Sequence, residues 1–274
     1  MLLRPTWIPR PLSTYHPLLH WLAVRFRRLE RWIEWHLDGS RYCHQTRLEP
    51  LPHRVKKHQS VLIRKLGPAA DALQHNKVDN LRIVIRAIDG ILIRPGETFS
   101  FCRLVGRPTA RRGFKVGMEL SRGVARPGIG GGICQASNLI FWLALHSPLE
   151  VVERHHHSFD PFPDSHRVLP FASGATVMYN YKDLRLRNNT PHTFQLRLWL
   201  DEKCLNGDLR CSQALARSYS VYEQGHRFVE RGDRLYRSNH LWRKVICKRT
   251  GEIIAREPLF ANFAEVKYRL RSGP

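Results

Sequence analysis

The sequence lacks any long stretch of uncharged apolar residues. No run in its 274 residues approaches the length of about 18 apolar residues at which a membrane-spanning helix is predicted. Residues 1–15 contain three prolines and no continuous apolar core, which argues against a secretory signal. The sequence therefore predicts a soluble protein in the cytoplasm or at the cytoplasmic face of the membrane.

Several motifs that define common sites are also absent. The six cysteines form no C-x-x-C pair and are widely and irregularly spaced, which excludes the usual zinc sites and favours reduced thiols. There is no Walker motif, no G-x-G-x-x-G between a strand and a helix, and no G-x-S-x-G. We therefore predict neither a metal nor a cofactor.

Acidic residues are few compared with basic ones. The chain has 23 Asp+Glu against 45 Lys+Arg, a formal net charge of +22, and residues 1–66 contribute +9 of it. A hydrophobic content of 42% excludes a disordered chain. The charge predicts anionic partners. Nucleic acid is an unlikely partner, because no motif for reading it is present.

The first 66 residues contain one clear helical pattern. Its apolar residues recur at the spacing of one helix face: Leu18, Leu22, Phe26, Leu29, Ile33 and Leu37. Asp38-Gly39-Ser40 ends the pattern. Helix 18–37 either docks on the main domain or lies on an anionic membrane surface, with Trp21, Trp32 and Trp35 widening the stripe.

Beyond residue 66, helical and strand patterns are mixed. Helices are predicted over 79–89, with Asp79 as the N-cap, and over 139–145, which is apolar on every side. Arg94-Pro95-Gly96-Glu97 suits a type II turn. Strands are predicted at 91–93, 98–101, 151–154, 176–181 and 193–200. The predicted fold class is α+β: a basic N-terminal helical region, followed by a compact domain with a mainly antiparallel sheet and a buried central helix.

Residues 106–132 are rich in glycine and are predicted to form a long, functional loop. The loop ends in glycines 130–132, which allow the backbone to approach another group closely. Cys134 follows in the first turn of the buried helix, where the helix dipole stabilises a thiolate. Gln135 can donate a hydrogen bond to a developing oxyanion. A buried thiol that only fills space is the competing interpretation for Cys134.

Three consecutive histidines follow the predicted strand 151–154. If the strand continues, His155 and His157 share one face, and either can act as the base for a Cys134 nucleophile. Asp160 is a candidate for orienting the imidazole. The alternatives are a polar surface turn or a metal site with Cys134 as the third ligand, although no acidic cluster supports a metal.

Arginines that flank the glycine-rich segment suit an anionic ligand; they are Arg103, Arg107, Arg111 and Arg112. A guanidinium can bind a phosphate or carboxylate through two parallel hydrogen bonds. We therefore predict a substrate-binding group that combines Arg111, Arg112 and Arg154 with Gly130, Gly131 and Gly132. Solvated loop arginines without a ligand are the alternative.

Five segments together match the pattern of a known family. They are PGETFSF (95–101), GGGICQ (130–135), ALHSPLEVVERHHHSFDPFPDS (144–165), VLPFASGATVMYNYKDL (168–184) and RNNTPHTFQL (187–196). With them the chain resembles the short, single-domain form of the VanW family, whose members accompany B-type vancomycin-resistance clusters and also occur in bacteria without them. One motif departs from the pattern, because Ser173-Gly174-Ala175 stands where the family usually has G-x-D-A.

The resemblance implies a role in glycopeptide resistance and in cell-envelope metabolism, with peptidoglycan or its precursors as partner. It predicts three regions: the basic helical region 1–66, a VanW-like core at 67–204 and a β-rich extension at 205–274 packed on that core. Two functions stay open. Cys134 attacks a peptide carbonyl in an acyl transferase or amidase, or the protein is a non-catalytic module that binds an anionic wall polymer or precursor.

Overall fold

The computed structural model describes residues 16–63, 68–121, 124–156, 159–160, 169–179 and 181–268. The helices are α1 (Pro17–Leu37), α2 (Pro68–Ile88), α3 (Phe101–Val105) and α4 (Cys134–Leu145), and Ala110–Arg112 forms one 3-10 turn. The strands are β1 (Arg41–Tyr42), β2 (His53–Val61), β3 (Leu92–Ile93), β4 (Glu97–Ser100), β5 (Val116–Ser121), β6 (Val124–Ile129), β7 (Glu150–Glu153), β8 (Phe159–Asp160), β9 (Arg185–Arg187), β10 (Phe194–Leu200), β11 (Cys204–Cys211), β12 (Arg217–Arg231), β13 (Arg234–Cys247) and β14 (Ile253–Val266).

The strands form three four-stranded sheets and one hairpin. The orders are β1-β4-β9-β7, β2-β11-β10-β3 and β12-β13-β14-β8, and β5 pairs with β6. Among the described strands, only β1 with β4 and β14 with β8 pair in parallel. The predicted α+β class with a mainly antiparallel sheet and a buried central helix is therefore confirmed.

Helix α4 is the buried central helix and packs on β2 and β11. From Leu139 to Leu145 every side chain is buried, because the helix has protein on all sides. A glycine on β11 allows this close packing. A Cβ atom at Gly207 would lie 2.9 Å from side-chain carbons of Leu139 and Leu143, so any larger residue would push α4 off the sheet.

The sheet β2-β11-β10-β3 draws strands from all three predicted regions. β2 lies in 1–66, β10 lies in 67–204, and β11 crosses the predicted boundary at 204. In the first region the sequence indicated only a helix, so β2 was missed. The division into three regions stays a prediction, and the shared sheet joins their described parts.

Helix α2 begins 11 residues earlier than predicted, at Pro68 instead of Asp79. The N-cap role of Asp79 is therefore wrong. Its carboxylate lies inside the helix and binds Arg82 and Lys115, at 2.5 and 2.6 Å. The predicted inner face of this helix is confirmed at Leu81, Val84 and Ile88, which are fully buried.

The predicted turn at 94–97 is confirmed. The amide of Glu97 donates to the carbonyl of Arg94 at 2.9 Å, and Gly96 has a φ of +76°, as the third position of a type II turn requires. Two other predictions are wrong. Residues 106–132 are not one irregular loop, because they contain the β5–β6 hairpin. Residues 176–181 form no strand; within their described part, Met178 makes only an isolated bridge with Lys182.

Helix α1 ends as predicted, since Asp38 caps it and Gly39 follows with a φ of +67°. It docks on the rest of the protein through buried Arg31 and Trp35, so the prediction that Trp35 widens the apolar stripe is wrong. The predicted apolar stripe does not make this contact and faces outward. In the part of the chain that the structure describes, no helix is both long enough and apolar enough to span a bilayer.

Candidate functional site

A cavity of about 750 Å³ lies in front of the N-terminus of α4. Its walls come from α1, α2, β2, the β5–β6 hairpin, α4 and the irregular segment 176–181. The predicted glycines 130–132 line it, together with Cys134 and Gln135. The structure therefore brings the GGGICQ segment to one wall of an open space.

The three glycines let two backbone segments touch. A Cβ atom at Gly131 would lie 2.2 Å from the carbonyl carbon of Gly117, and Gly130 and Gly132 have φ angles of +80° and +93°. Asn80 on α2 fastens this turn, because its side-chain amide donates to the Gly131 carbonyl at 2.9 Å. The glycines thus fix the cavity wall and the entry into α4.

Cys134 is the first residue of α4, as predicted, and its thiol lines the cavity. The sulfur lies 3.6 Å from the carbonyl oxygen of Val177, to which the thiol donates. Burial raises the pKa of the Cys134 thiol above its ordinary value. This direction is opposite to the one that the helix dipole was expected to produce, so the site favours a neutral thiol at neutral pH.

Gln135 is held by the neighbouring strand. Its amide nitrogen donates to the hydroxyl of Ser60 at 3.0 Å and to the carbonyl of Val61 at 2.8 Å. Both hydrogens of the amide therefore have acceptors on β2. The side chain joins α4 to the edge of the sheet. In this geometry Gln135 has no amide hydrogen left to donate to an oxyanion, which was its predicted role.

The described histidines of the run, His155 and His156, are not among the residues that line the cavity. His155 hydrogen-bonds to the carboxylate of Glu153 at 2.8 Å, and its backbone carbonyl accepts from the amide of Thr176. His157 lies outside the described residues. Asp160 does not orient His155, because its carboxylate binds Arg237 at 3.1 Å.

The cations of the cavity agree only in part with those expected from the sequence, because Arg107 was expected there and Arg28 was not. Arg28 of α1 and Arg107 both line it, and Arg126 lines it while paired with Glu119 at 2.7 Å. Burial and the nearby positive charge of Arg107 lower the pKa of Arg28. An anion bound between these two guanidinium groups would stabilise the charge of Arg28 that the positive charge of Arg107 disfavours.

The three predicted arginines have other positions. Arg112 donates to the carbonyl oxygens of Val105 and Arg107, which ties down the 3-10 turn, and Arg111 is exposed. Arg154 is largely buried, donates to the carbonyl of Gly174 at 3.0 Å, and has a pKa lowered to about 10 by burial. None of the three is among the described residues of the cavity wall.

Two polar residues of α4 that the sequence did not single out hold the wall formed by the irregular segment. Asn138 accepts from the amide of Ala175 at 2.7 Å, and Ser137 donates to the carbonyl of Ala175 at 2.7 Å. Both stand one helical turn after Cys134, and polar residues in an otherwise apolar helix were the available signal. Ser137 and Asn138 hold Ala175, and with it the start of the irregular segment, against α4.

The described residues contain no cluster of three His, Cys, Asp or Glu side chains that would hold a metal ion. All six cysteines are free thiols, and four of them are buried. The described lining of the cavity therefore offers the cations Arg28, Lys77, Arg107 and Arg126, the carboxylate of Glu119, one neutral thiol, backbone groups of the glycine turn and the aromatic rings of Tyr179 and Tyr181.

Fold and site together define the class: an α+β protein with an arginine-bearing cavity at the glycine-rich entry to a buried helix. The family profile described as VanW like protein matches residues 76–210. The chain is 30% identical to Vancomycin B-type resistance protein VanW of Enterococcus faecalis (strain ATCC 700802 / V583) over 233 residues, 85% of each chain. The chain belongs to the VanW family.

A second relative matches a smaller part. Uncharacterized protein YoaR of Bacillus subtilis (strain 168) is 34% identical over 109 residues, which are 40% of this chain and 34% of that protein. No solved structure matches the chain. The family resemblance inferred from the sequence motifs is confirmed.

Proposed function

We propose that this protein is a non-catalytic binding module whose cavity holds an anionic peptidoglycan precursor. The observation that carries the proposal is the presence of Arg28 and Arg107 in a cavity of about 750 Å³ beside the glycine turn. Guanidinium groups bind phosphate and carboxylate groups strongly, and soluble precursors carry both. A cavity of this size is within the range that small-molecule ligands occupy.

The rest of the lining suits a ligand with polar and apolar parts. Tyr179, Tyr181 and Val177 supply ring faces and an aliphatic surface, and His58 and Asn138 supply polar groups. The guanidinium carbon of Arg28 lies 5.9 Å from the ring centre of Tyr179. One part of the ligand can therefore contact the positive charge and the ring face at the same time. A sugar or peptide attached to a phosphate has this combination.

Binding is favoured over thiol chemistry by three observations. The Cys134 thiol donates to a carbonyl and has a raised pKa, Gln135 is committed to β2, and neither described histidine of the run lines the cavity. An acyl transferase would need a thiolate, an oxyanion donor and a base around one point. The acyl-transfer alternative keeps two supporting observations: Cys134 lies on the cavity wall at the start of α4, and the carboxylate of Glu153 orients the imidazole of His155.

The biological setting of the proposal comes from a relative. The Enterococcus faecalis protein carries vancomycin resistance in its name, and it matches along most of both chains. We infer that this chain also serves glycopeptide resistance through peptidoglycan metabolism. It would act in the cytoplasm or at the cytoplasmic face of the membrane, where precursors are made.

The proposal is tested by calorimetric titration with UDP-N-acetylmuramyl-pentapeptide, a soluble precursor, and with inorganic pyrophosphate as a minimal anion. Arg107→Gln is expected to weaken binding by about tenfold or more, because a charge-assisted hydrogen bond contributes about 1.5–3 kcal/mol. Arg111→Gln is the matched control, since Arg111 is exposed and belongs to the neighbouring 3-10 turn. Arg111→Gln should bind both probes with the affinity of the unchanged protein.

Two outcomes would contradict the proposal. One is no heat of binding for either probe with the unchanged protein. The other is equal loss of affinity in Arg107→Gln and Arg111→Gln, because that would indicate a diffuse attraction by net charge and not a site. If pyrophosphate binds and the precursor does not, the cavity is an anion site but the precursor is not its ligand.

A further inference from the structure

The apolar stripe of α1 is exposed along its whole length. Its six side chains are between 42% and 78% exposed: Leu18, Leu22, Phe26, Leu29, Ile33 and Leu37. Trp21 and Trp32 beside the stripe are 49% and 54% exposed. Soluble proteins rarely leave a continuous apolar surface of this extent uncovered, and where they do the surface usually meets a partner.

The opposite face of α1 explains why the stripe is free. Val24 and Arg28 line the cavity, and Arg31 and Trp35 are buried against the body. With 3.6 residues per turn, these four positions share one face, and the stripe is centred about 160° away around the helix. The helix is thus fixed by one side and presents the other outward.

We propose that the outward face of α1 binds an anionic membrane surface, with the helix axis in the plane of the membrane. An amphipathic helix at a lipid interface buries an apolar face among the acyl chains and keeps aromatic and basic residues at the headgroups. Trp21, Trp32 and Arg25 are exposed and lie along one edge of the stripe in this way.

Charge selects an anionic lipid surface as the partner. The chain carries a formal net charge of +22, of which +9 lies in residues 1–66. The guanidinium of Arg25 lies 4.2 Å from the ring centre of Trp21, so charge and ring act as one basic, aromatic edge. Basic residues near an anionic leaflet are attracted to it, and this attraction weakens as salt is added.

The membrane contact would also place the cavity. Because α1 contributes Val24 and Arg28 to the cavity wall, a bound α1 holds the cavity beside the lipid headgroups. Lipid-linked precursors present their phosphates at that level. This consequence rests on the function proposed above, whereas the membrane contact itself does not depend on what the cavity binds.

Co-sedimentation with lipid vesicles tests the proposal. The purified full chain is mixed with vesicles of phosphatidylglycerol and phosphatidylcholine, and with vesicles of phosphatidylcholine alone. Leu22→Ser/Phe26→Ser removes apolar contact from the stripe, and both residues are exposed, so the fold should be kept. Leu48→Ser/Ile254→Ser is the matched control, because these residues are also exposed and lie outside α1.

The expected result is binding to the anionic vesicles that falls with salt, with little binding to the neutral ones. Leu22→Ser/Phe26→Ser should bind at least about tenfold more weakly, while the control variant binds as the unchanged protein does. The fluorescence of the bound protein should shift to the blue, and Trp21→Phe/Trp32→Phe should remove most of that shift.

Three results would overturn the proposal. The first is that the unchanged protein does not bind anionic vesicles, and the second is that Leu22→Ser/Phe26→Ser binds them equally well. The third is that the unchanged protein is a dimer, Leu22→Ser/Phe26→Ser is a monomer, and neither protein binds vesicles. The last result would assign the stripe to a second copy of the chain. Pyrophosphate binding by Leu22→Ser/Phe26→Ser should stay unchanged, so a failure here is distinguishable from a failure of the proposed function.

Discussion

Arg31 and Glu153 form a bidentate ion pair across 122 positions of sequence, with N–O distances of 2.6 and 2.7 Å. The pair joins α1 to the end of β7. Glu153 also accepts from His155 and from the amide of Asp183, so one carboxylate collects contacts from three segments. Together with the ion pairs of Arg185 with Glu34 and Asp38, this pair fixes which face of α1 meets the rest of the protein and therefore which face is left outward.

Arg31→Met is expected to destabilise the protein by about 3–5 kcal/mol, because it leaves the carboxylate of Glu153 buried without its main cation. Urea unfolding measures the loss. Arg27→Met is the control, since Arg27 pairs with Glu30 on the exposed surface and its removal should cost about 0.5 kcal/mol. Equal losses in the two variants would show that the buried pair does not fix α1.

Stability should depend on pH through Glu153. Burial raises the pKa of this carboxyl, but hydrogen bonds from His155 and Arg31 outweigh burial and lower the pKa to about 2. The unfolded chain has the ordinary value of 4.5, so it binds the proton first as the pH falls. The stabilisation is complete above pH 4.5 and is lost toward pH 2, by about 3 kcal/mol in all.

This pH dependence is checked by urea unfolding of the unchanged protein and of Glu153→Gln at several pH values. At neutral pH the variant should be less stable, because it lacks the carboxylate that compensates Arg31. Between pH 4.5 and 2 the difference should shrink. A difference that stays constant over this range would mean that the carboxylate titrates as it does in the unfolded chain.

The periodicity of α1 was predictable, but its orientation was not. Apolar spacing over 18–37 indicates a helix and its stripe, and the rule that an apolar face meets the body then selects the wrong side. The side that docks is chosen by Arg31, whose partner Glu153 is 122 residues away. Pairing over such a distance leaves no trace in the local pattern.

The start of α4 and the close approach at the glycines were predictable from local chemistry. The apolar run after Cys134 determines a buried helix, and three consecutive glycines determine a tight backbone contact. The β5–β6 hairpin was missed although β5 alternates, with Val116, Met118 and Leu120 apolar, because the glycines and prolines of the segment indicate a loop. The partner of Gly131 is Gly117, which belongs to that unpredicted hairpin.

Some residues expected at the candidate site line the cavity: glycines 130–132, Cys134, Gln135 and Arg107. Arg28 also lines it, but only because α1 docks on that side, which depends on tertiary contacts. Arg112 was expected there too, but backbone carbonyls of its own turn use its guanidinium instead.

Gly131→Ala should disrupt the cavity wall. The new Cβ atom would lie 2.2 Å from the carbonyl carbon of Gly117, so the hairpin must move, at a cost of about 1–3 kcal/mol or more. Gly39→Ala is the control: its φ is +67° but no atom lies within 4 Å, so only about 1 kcal/mol of backbone strain is expected. Thermal unfolding measures both.

Pyrophosphate titration separates the two glycine variants further. Gly131→Ala should lose affinity for pyrophosphate, and Gly39→Ala should keep it, because only Gly131 belongs to the wall. Full affinity in a folded Gly131→Ala protein would contradict the assigned role of the glycine turn.

Cys134 should react slowly with iodoacetamide at pH 8. Burial raises the pKa of its thiol, whereas hydrogen bonding with Thr250 lowers the pKa of Cys247. Because the thiolate is the reacting form, Cys247 should be labelled first. Peptide mass spectrometry follows both sites, with Cys247→Ser as the control for assignment. Faster labelling of Cys134 would support the acyl-transfer alternative.

The most direct test of non-catalytic binding follows a soluble precursor through the binding reaction. UDP-N-acetylmuramyl-pentapeptide is titrated into the unchanged protein and into Cys134→Ser, and the mass of the recovered ligand is then measured. We expect equal Kd values within about twofold and an unaltered ligand in both cases, because binding without a thiol step changes no bond. A precursor that is cleaved or transferred by the unchanged protein but left intact by Cys134→Ser would contradict non-catalytic binding.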